Sequence, residues 1–229
     1  KMVNTNYTFN NYINSGILNV GGDLSILDTA LNFSNNLIGI YMKEQDDPGY
    51  SKRPEPTLTI TNSTCTFSGS SDIEKSNNDI GIDASNSIIK IQDSTSMFTY
   101  LYSSLRSISS DIYITRSQIT SSYVYKPFDM TNSLLELSSS SKAPSVIVCN
   151  NITDGSNYGI TLTDKSILQS NGIPDFNFDY GLSISFDQSS KVYNPPIQYR
   201  GLELKDRFGK FTTNRPYDFS LVYADIKGY

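Results

Sequence analysis

Two aliphatic residues flanking one polar residue recur at Leu24-Ser-Ile26, Leu58-Thr-Ile60, Ile89-Lys-Ile91, Ile112-Tyr-Ile114, Leu135-Glu-Leu137, Ile160-Thr-Leu162, Leu182-Ser-Ile184 and Leu202-Glu-Leu204. Alternation with period two predicts a half-buried strand. The first members lie 34, 31, 23, 23, 25, 22 and 20 residues apart. Turn signals such as Ser-Asn-Ser, Thr-Asn-Ser or Tyr-Gly precede nearly every copy. No stretch holds a 3.6-residue period, so helix content is expected near zero. Strands this short cannot bury an apolar face alone, but stacked coils share one continuous core. The pattern predicts an all-β fold, a parallel β-helix of about eight coils spaced about 4.8 Å apart. The alternative is an antiparallel β-sandwich. Its strands recur at about 8–12 residues and have no reason to repeat one pattern at twice that spacing.

Register turns the repeat into columns. Leu24, Leu58, Ile89, Ile112, Leu135, Ile160, Leu182 and Leu202 should form one inward ladder, and Ile26, Ile60, Ile91, Ile114, Leu137, Leu162, Ile184 and Leu204 a second. The helix is expected over residues 23–208, with an inserted Pro- and charge-rich loop at 41–57. Exposed strand edges at either end call for covers. Residues 1–22 are expected as an N-terminal cap or lead-in, and the aromatic segment 209–229 as a C-terminal cap or oligomer contact.

The residues between the aliphatics should point outward. One outward column reads Ser25, Thr59, Lys90, Tyr113, Glu136, Thr161, Ser183, Glu203. Three neighbouring coils there carry three chemistries, so Lys90, Tyr113 and Glu136 are the candidate ligand face, with the Tyr113 ring offered to a sugar. The plainer account is a solvated sheet face of stacked hydroxyls. A turn column reads Asn62, Asp93, Arg116, Ser139, Asp164, Asp187, Asp206. Asp164 and Asp187 fall on consecutive copies and are weak candidates for an acid pair, since a glycosidase needs carboxyls about 5–9.5 Å apart. Aspartate also ends strands by Asx hydrogen bonding. Asp93 and Arg116 should form a surface ion pair worth under about 1 kcal/mol.

Composition narrows the function. Net charge is −5 and no Lys/Arg-rich run exists, so nucleic acid is not an expected partner. There is no histidine, which removes the commonest general base and transition-metal ligand. No apolar run is long enough for a membrane span. Charged residues make up only 18% of the chain, and four glycosylation sequons begin at Asn6, Asn32, Asn62 and Asn151. Low charge and sequons together point to a secreted or surface protein. Cys65 and Cys149 follow strands three coils apart, at least about 14 Å, beyond the reach of a disulfide. Both are expected as buried thiols.

The repeated coil, written most fully as "LTITNST" from Leu58 to Thr64, resembles the right-handed parallel β-helix, or pectin-lyase-like, superfamily over residues 24–208. That superfamily includes polysaccharide lyases, glycoside hydrolases, phage tailspikes, adhesins and other surface proteins. The hydrolases in it carry a set of Asn-Thr-Asp, Asp-Asp, His-Gly and Arg-Ile-Lys signatures, a set this chain lacks. The lyases use Asp-bound calcium with an Arg or Lys base. Asp46 and Asp47, with Lys52 and Arg53 close in sequence, are a candidate for that constellation; the plainer account is a charged solvent loop, and Ca²⁺ needs six to eight oxygens that the sequence does not assemble. No other cofactor or metal is expected. The expected function is a non-catalytic extracellular or surface module, structural or glycan-binding, with glycans or neighbouring surface proteins as partners. The alternative is a polysaccharide-degrading β-helix, a lyase or a tailspike depolymerase. A virion-surface protein would form a homo-oligomer, a trimer, through its C-terminal segment.

Overall fold

The computed structural model describes residues 1–12, 14–45, 55–70, 79–140, 143–150, 158–171, 174–178, 183–193, 198–200, 203–206 and 209–212. Among them there is no helix, and so none long and apolar enough to cross a membrane. Each of eight coils contributes strands to three faces. The first face is an eight-stranded parallel sheet of Met2–Val3, Leu24–Leu27, Thr57–Thr61, Ile88–Gln92, Asp111–Thr115, Leu134–Ser138, Ile167–Asn171 and Lys191–Tyr193. The second and third faces form one fifteen-stranded sheet. They are joined because Thr95–Ile108 in coil 4 and Gln118–Thr131 in coil 5 each run through both. Elsewhere the second face uses Asn6–Asn10, Ala30–Ser34, Thr64–Ser68, Val146–Asn150, Asp175–Phe178 and Gln198–Arg200. The third uses Ser15–Val20, Ile38–Lys43, Ile80–Ser85, Tyr158–Thr163, Ser183–Phe186 and Glu203–Asp206. Strands one coil apart pair in parallel throughout, which leaves no antiparallel sandwich. Gly209–Thr212 alone among the named strands turns back, antiparallel to Glu203–Asp206.

Register on the first face runs Leu24, Leu58, Ile89, Ile112, Leu135, Leu168, Val192. The unadorned coil is therefore 23 or 24 residues. Longer steps carry insertions after Lys43, after Ser68 and in coil 6. The expected ladders hold as far as Leu135 and Leu137, then change course. Ile160 and Leu162 lie on the third face, paired with Phe128 and Met130 before them and with Ile184 and Phe186 after them. Leu204 continues that third-face column from Ile184. The second first-face ladder runs from Leu137 to Ser170, not to Leu162. All three faces write the same alternation, so a 25-residue step changed face instead of coil. Leu182 and Leu202 lie outside the described residues. Residues 2–20, expected as a cap, carry three strands that pair in parallel with coil 2. Residues 213–229 lie outside the described residues.

Leu58, Ile60, Ile89, Ile91, Ile112, Ile114, Leu135 and Leu137 are fully buried. Each contributes at most about 1.5–3 kcal/mol by removal from water. Cys65 and Cys149 are buried and form no disulfide. They stand in different columns three coils apart, Cys65 level with Ser96 and Cys149 with Ser121. Burial pushes the Cys65 thiol up to about 12.

Two corners of the helix are closed by hydroxyl ladders. At the corner between the first and second faces, the Thr29, Ser63 and Ser94 amides donate to the hydroxyls of Ser63, Ser94 and Ser117, one coil on, at 3.0–3.1 Å. At the corner between the third and first faces, Ser87, Ser110, Ser133, Ser166 and Ser190 repeat the device. Apart from Ser190, each of these side chains also donates back to a carbonyl at the end of its own preceding strand. The residue before each ladder hydroxyl in coils 3 to 5 at the first corner is Asn62, Asp93 or Arg116, all at positive φ. Buried corner amides would otherwise go unpaired, at about 1–3 kcal/mol apiece.

At the remaining corner, ring packs against glycine. Phe9, Phe33, Phe67 and Phe98 stack on successive coils at 4.9, 4.6 and 4.7 Å with planes within 10°. Phe33, Phe67 and Phe98 each lie against a glycine of the preceding coil: Gly16, Gly39 and Gly81. In the next coil the phenylalanine column reaches Ser121, and there the glycine column has become Ser104. The two hydroxyls bond at 2.7 Å. Phe178 restores the pairing against Gly159.

Candidate functional site

Lys90, Tyr113 and Glu136 stand in register on three adjacent coils of the first face. Beyond Glu136 the column continues to Gln169 and Tyr193, not to Thr161, Ser183 and Glu203. Lys90 is exposed, whereas Tyr113 and Glu136 are half-buried. The Glu136 carboxylate accepts from Gln169 Nε2 at 2.6 Å, Asn171 Nδ2 at 2.9 Å and the Ser138 hydroxyl at 3.3 Å. The Tyr113 hydroxyl donates to Asp111 at 3.4 Å. Partial burial, then the charges of Asp111, Glu136 and Glu55, raise its phenol above the usual range. The three residues are brought together, but the carboxylate is spent on its own sheet.

The turn column divides in two. Asn62, Asp93 and Arg116 sit at the corner after the first face, Asp164 and Asp187 at the corner after the third. Asp206 enters the terminal hairpin opposite Gly209. Asp164 and Asp187 are neighbours on adjacent coils, and the contact is a fastener: the Asp164 amide donates to Asp187 Oδ2 at 2.8 Å. Asp187 Oδ1 takes the Ser189 amide and hydroxyl and the Ser190 amide at 2.8–3.0 Å. Slight burial works against ionisation, but the donors from Asp164, Ser190 and Ser189 outweigh it and bring the carboxyl down to about 2. Such a group holds no proton to give. Asp93 and Arg116 form the expected pair, bidentate at 2.7 and 2.6 Å, with both side chains more than a third exposed. The Arg116 bonds, with Gln92, hold Asp93 below the usual carboxylate range.

Asn6 and Asn32 are exposed on the second face. Asn62 is exposed at a corner and donates to Asp28 at 2.6 Å. Asn151, Asp46, Asp47, Lys52 and Arg53 lie outside the described residues. Among the described residues, no three His, Cys, Asp or Glu side chains come together as a metal site. A small cavity of about 10 Å³ beside Phe33, Asn36, Gly39, Phe67 and Leu101 has at most the room of one water.

Sequence reading missed the corner between the second and third faces in coils 4 and 5. There Tyr100 and Tyr123 adopt φ of 54° and 56°. Every other described non-glycine residue at positive φ is Asn, Asp, Ser, Arg or Lys. A bulky aromatic in that region is a genuine outlier, costing about 1–3 kcal/mol. The Tyr100 and Tyr123 rings stack at 4.9 Å, and those of Tyr102 and Tyr125 at 5.2 Å. Tyr123 is 41% exposed, while Leu101 and Val124 between the tyrosines point inward and are buried. Lys126 Nζ lies 5.9 Å from the centre of the Tyr102 ring and 3.4 Å from Asp129. On the adjoining third face, Arg106 grips the nearly buried Asp83 with two bonds of 2.9 and 2.5 Å. Asp79 closes the coil 3 insertion beside this corner, its carbonyl accepting the Tyr102 amide at 2.8 Å. Burial pushes its carboxyl up to about 6. The signal was legible: "YLYSS" at 100–104 and "YVYKP" at 123–127 repeat at the 23-residue coil period.

No family model, no curated protein and no solved structure matches this chain.

Proposed function

We propose that this chain is a non-catalytic module of an extracellular, cell-surface or virion-surface protein, a β-helix rod that serves structurally and binds glycans. One observation carries the reading: among the described residues, Glu136 and Asp187, two of the carboxylates that sequence suggests for a site, are occupied by protein donors, as is the paired Asp93. Glu136 is held by Gln169 and Asn171, Asp187 by Asp164, Ser189 and Ser190, and Asp93 by Arg116. Such groups fasten coil to coil and leave the outward hydroxyls, amides and rings to meet a partner. Exposed Asn6 and Asn32 suit glycosylation on the second face, and neighbouring surface proteins or further copies of the chain are the other partners of such a rod.

Polysaccharide degradation is the second reading, and Asp79 speaks for it. A carboxyl pushed up to about 6 by burial keeps its proton to a higher pH than a free aspartic acid, the direction a general acid needs. The two readings separate in one experiment. The purified chain is run through native gels cast with neutral or acidic polysaccharides, and the same mixtures are assayed for new reducing ends and unsaturated products. The proposal expects retardation with no product. Product formation that Asp79→Asn abolishes would establish the enzyme instead.

A further inference from the structure

We propose that the corner of coils 4 and 5 formed by Tyr100, Tyr102, Tyr123 and Tyr125, with Lys126 beside them, is a binding site for a neutral oligosaccharide. It rests on the glycan-binding reading above and gives that reading a location and a ligand class. The equivalent corner in coils 1 and 2 uses Asn11 and Asn35, also at positive φ. Asparagine accepts that backbone readily; tyrosine does not. Strained backbone retained in two adjacent coils points to a use for the side chain. The corner carries two ring stacks, with Tyr123 exposed and Tyr100, Tyr102 and Tyr125 half-buried, anchored from within by Leu101 and Val124.

The chemistry fits a sugar. A tyrosine combines a flat apolar body with a hydroxyl that donates and accepts. A pyranose presents the complement, a C–H face bordered by hydroxyls. Within each stack the two rings face one another, so what they offer a sugar is ring edges and hydroxyls repeated one coil apart, about 4.8 Å. Nearby charges are matched within the protein, Lys126 with Asp129 and Arg106 with Asp83. Among the described residues at this corner no unpaired cation is left for a uronate or sulfate, which favours a neutral ligand.

Full-length chain is titrated calorimetrically with cellohexaose, xylohexaose and mannohexaose, and with tetragalacturonate as the acidic probe. The paired substitution Tyr100→Asn with Tyr123→Asn puts a residue suited to positive φ at both corners. The proposal expects a neutral probe to bind, and the variant to bind it at least about tenfold more weakly with no fall in melting temperature. Tyr102→Phe with Tyr125→Phe keeps the rings and removes only hydroxyls. It should weaken binding about threefold or more, and it decides the matter if the asparagine variant fails to fold. Unchanged affinity in a folded variant overturns this site while the glycan reading stands. Preference for tetragalacturonate overturns the neutral class. No binding of any probe overturns both the site and the reading beneath it.

Discussion

Two aspartates at corners of the rod show how placement sets opposite roles for one side chain. Asp79 is 9% exposed, and burial pushes its carboxyl up to about 6. The folded state takes up that proton before the unfolded chain does, so this group's contribution rises as pH falls from 7 through 6 towards 4. Asp187 has the reverse sign. Its pKa is depressed to about 2 by donors from Asp164, Ser190 and Ser189. Its contribution is full above the unfolded value and is lost as pH falls through 2. Asp79→Asn should raise stability at pH 7 by about 1–2 kcal/mol and remove the gain between pH 7 and 5. Urea midpoints of both proteins at the two pH values check this; a variant less stable at pH 7 would show that the carboxylate is needed as an anion. The turn aspartates could be read as punctuation from sequence, since Asx residues end strands. The one shifted upward could not: Asp79 is buried by its place in the fold, where its carbonyl accepts the Tyr102 and Ser103 amides of the next coil.

Among elements, the first-face strands were legible because alternation fixes which residues face inward. Registering coil on coil was harder. Ile160-Thr-Leu162 on the third face has the same pattern as Leu135-Glu-Leu137 on the first, and only the insertions in coil 6 separate the true partner, Leu168, from the false one. A better guide was present in the pairing of phenylalanine with glycine, which ties a second-face strand to the third-face strand of the coil before it. A Cβ added at Gly39 would lie 2.5 Å from the Phe67 ring and 2.6 Å from the Gly81 carbonyl oxygen. The carbonyl belongs to a paired strand and cannot retreat. Gly39→Ala should therefore destabilise the protein by about 1–3 kcal/mol, read as a lower thermal midpoint. Gly39→Ala combined with Phe67→Leu should recover part of the loss. A neutral or stabilising effect of the single change would refute the pairing.

At the scale of the whole molecule, fold and function were unequally legible. Repetition states the fold many times over, so a few misplaced coils leave the β-helix intact. A site is written once or twice. Lys90, Tyr113 and Glu136 were found because three neighbouring coils of one outward column carry three chemistries, yet the structure turns Glu136 towards Gln169 and Asn171. The tyrosine corner was overlooked because its residues read as ordinary strand formers until the backbone at Tyr100 and Tyr123 is known. Hydroxyl-radical footprinting of the chain with and without a saturating neutral oligosaccharide compares the two surfaces in one measurement. Oxidation of Tyr100, Tyr102, Tyr123 and Tyr125 should fall while that of Tyr113 stays constant. Protection of Tyr113 alone, or of none of the five, would contradict the account.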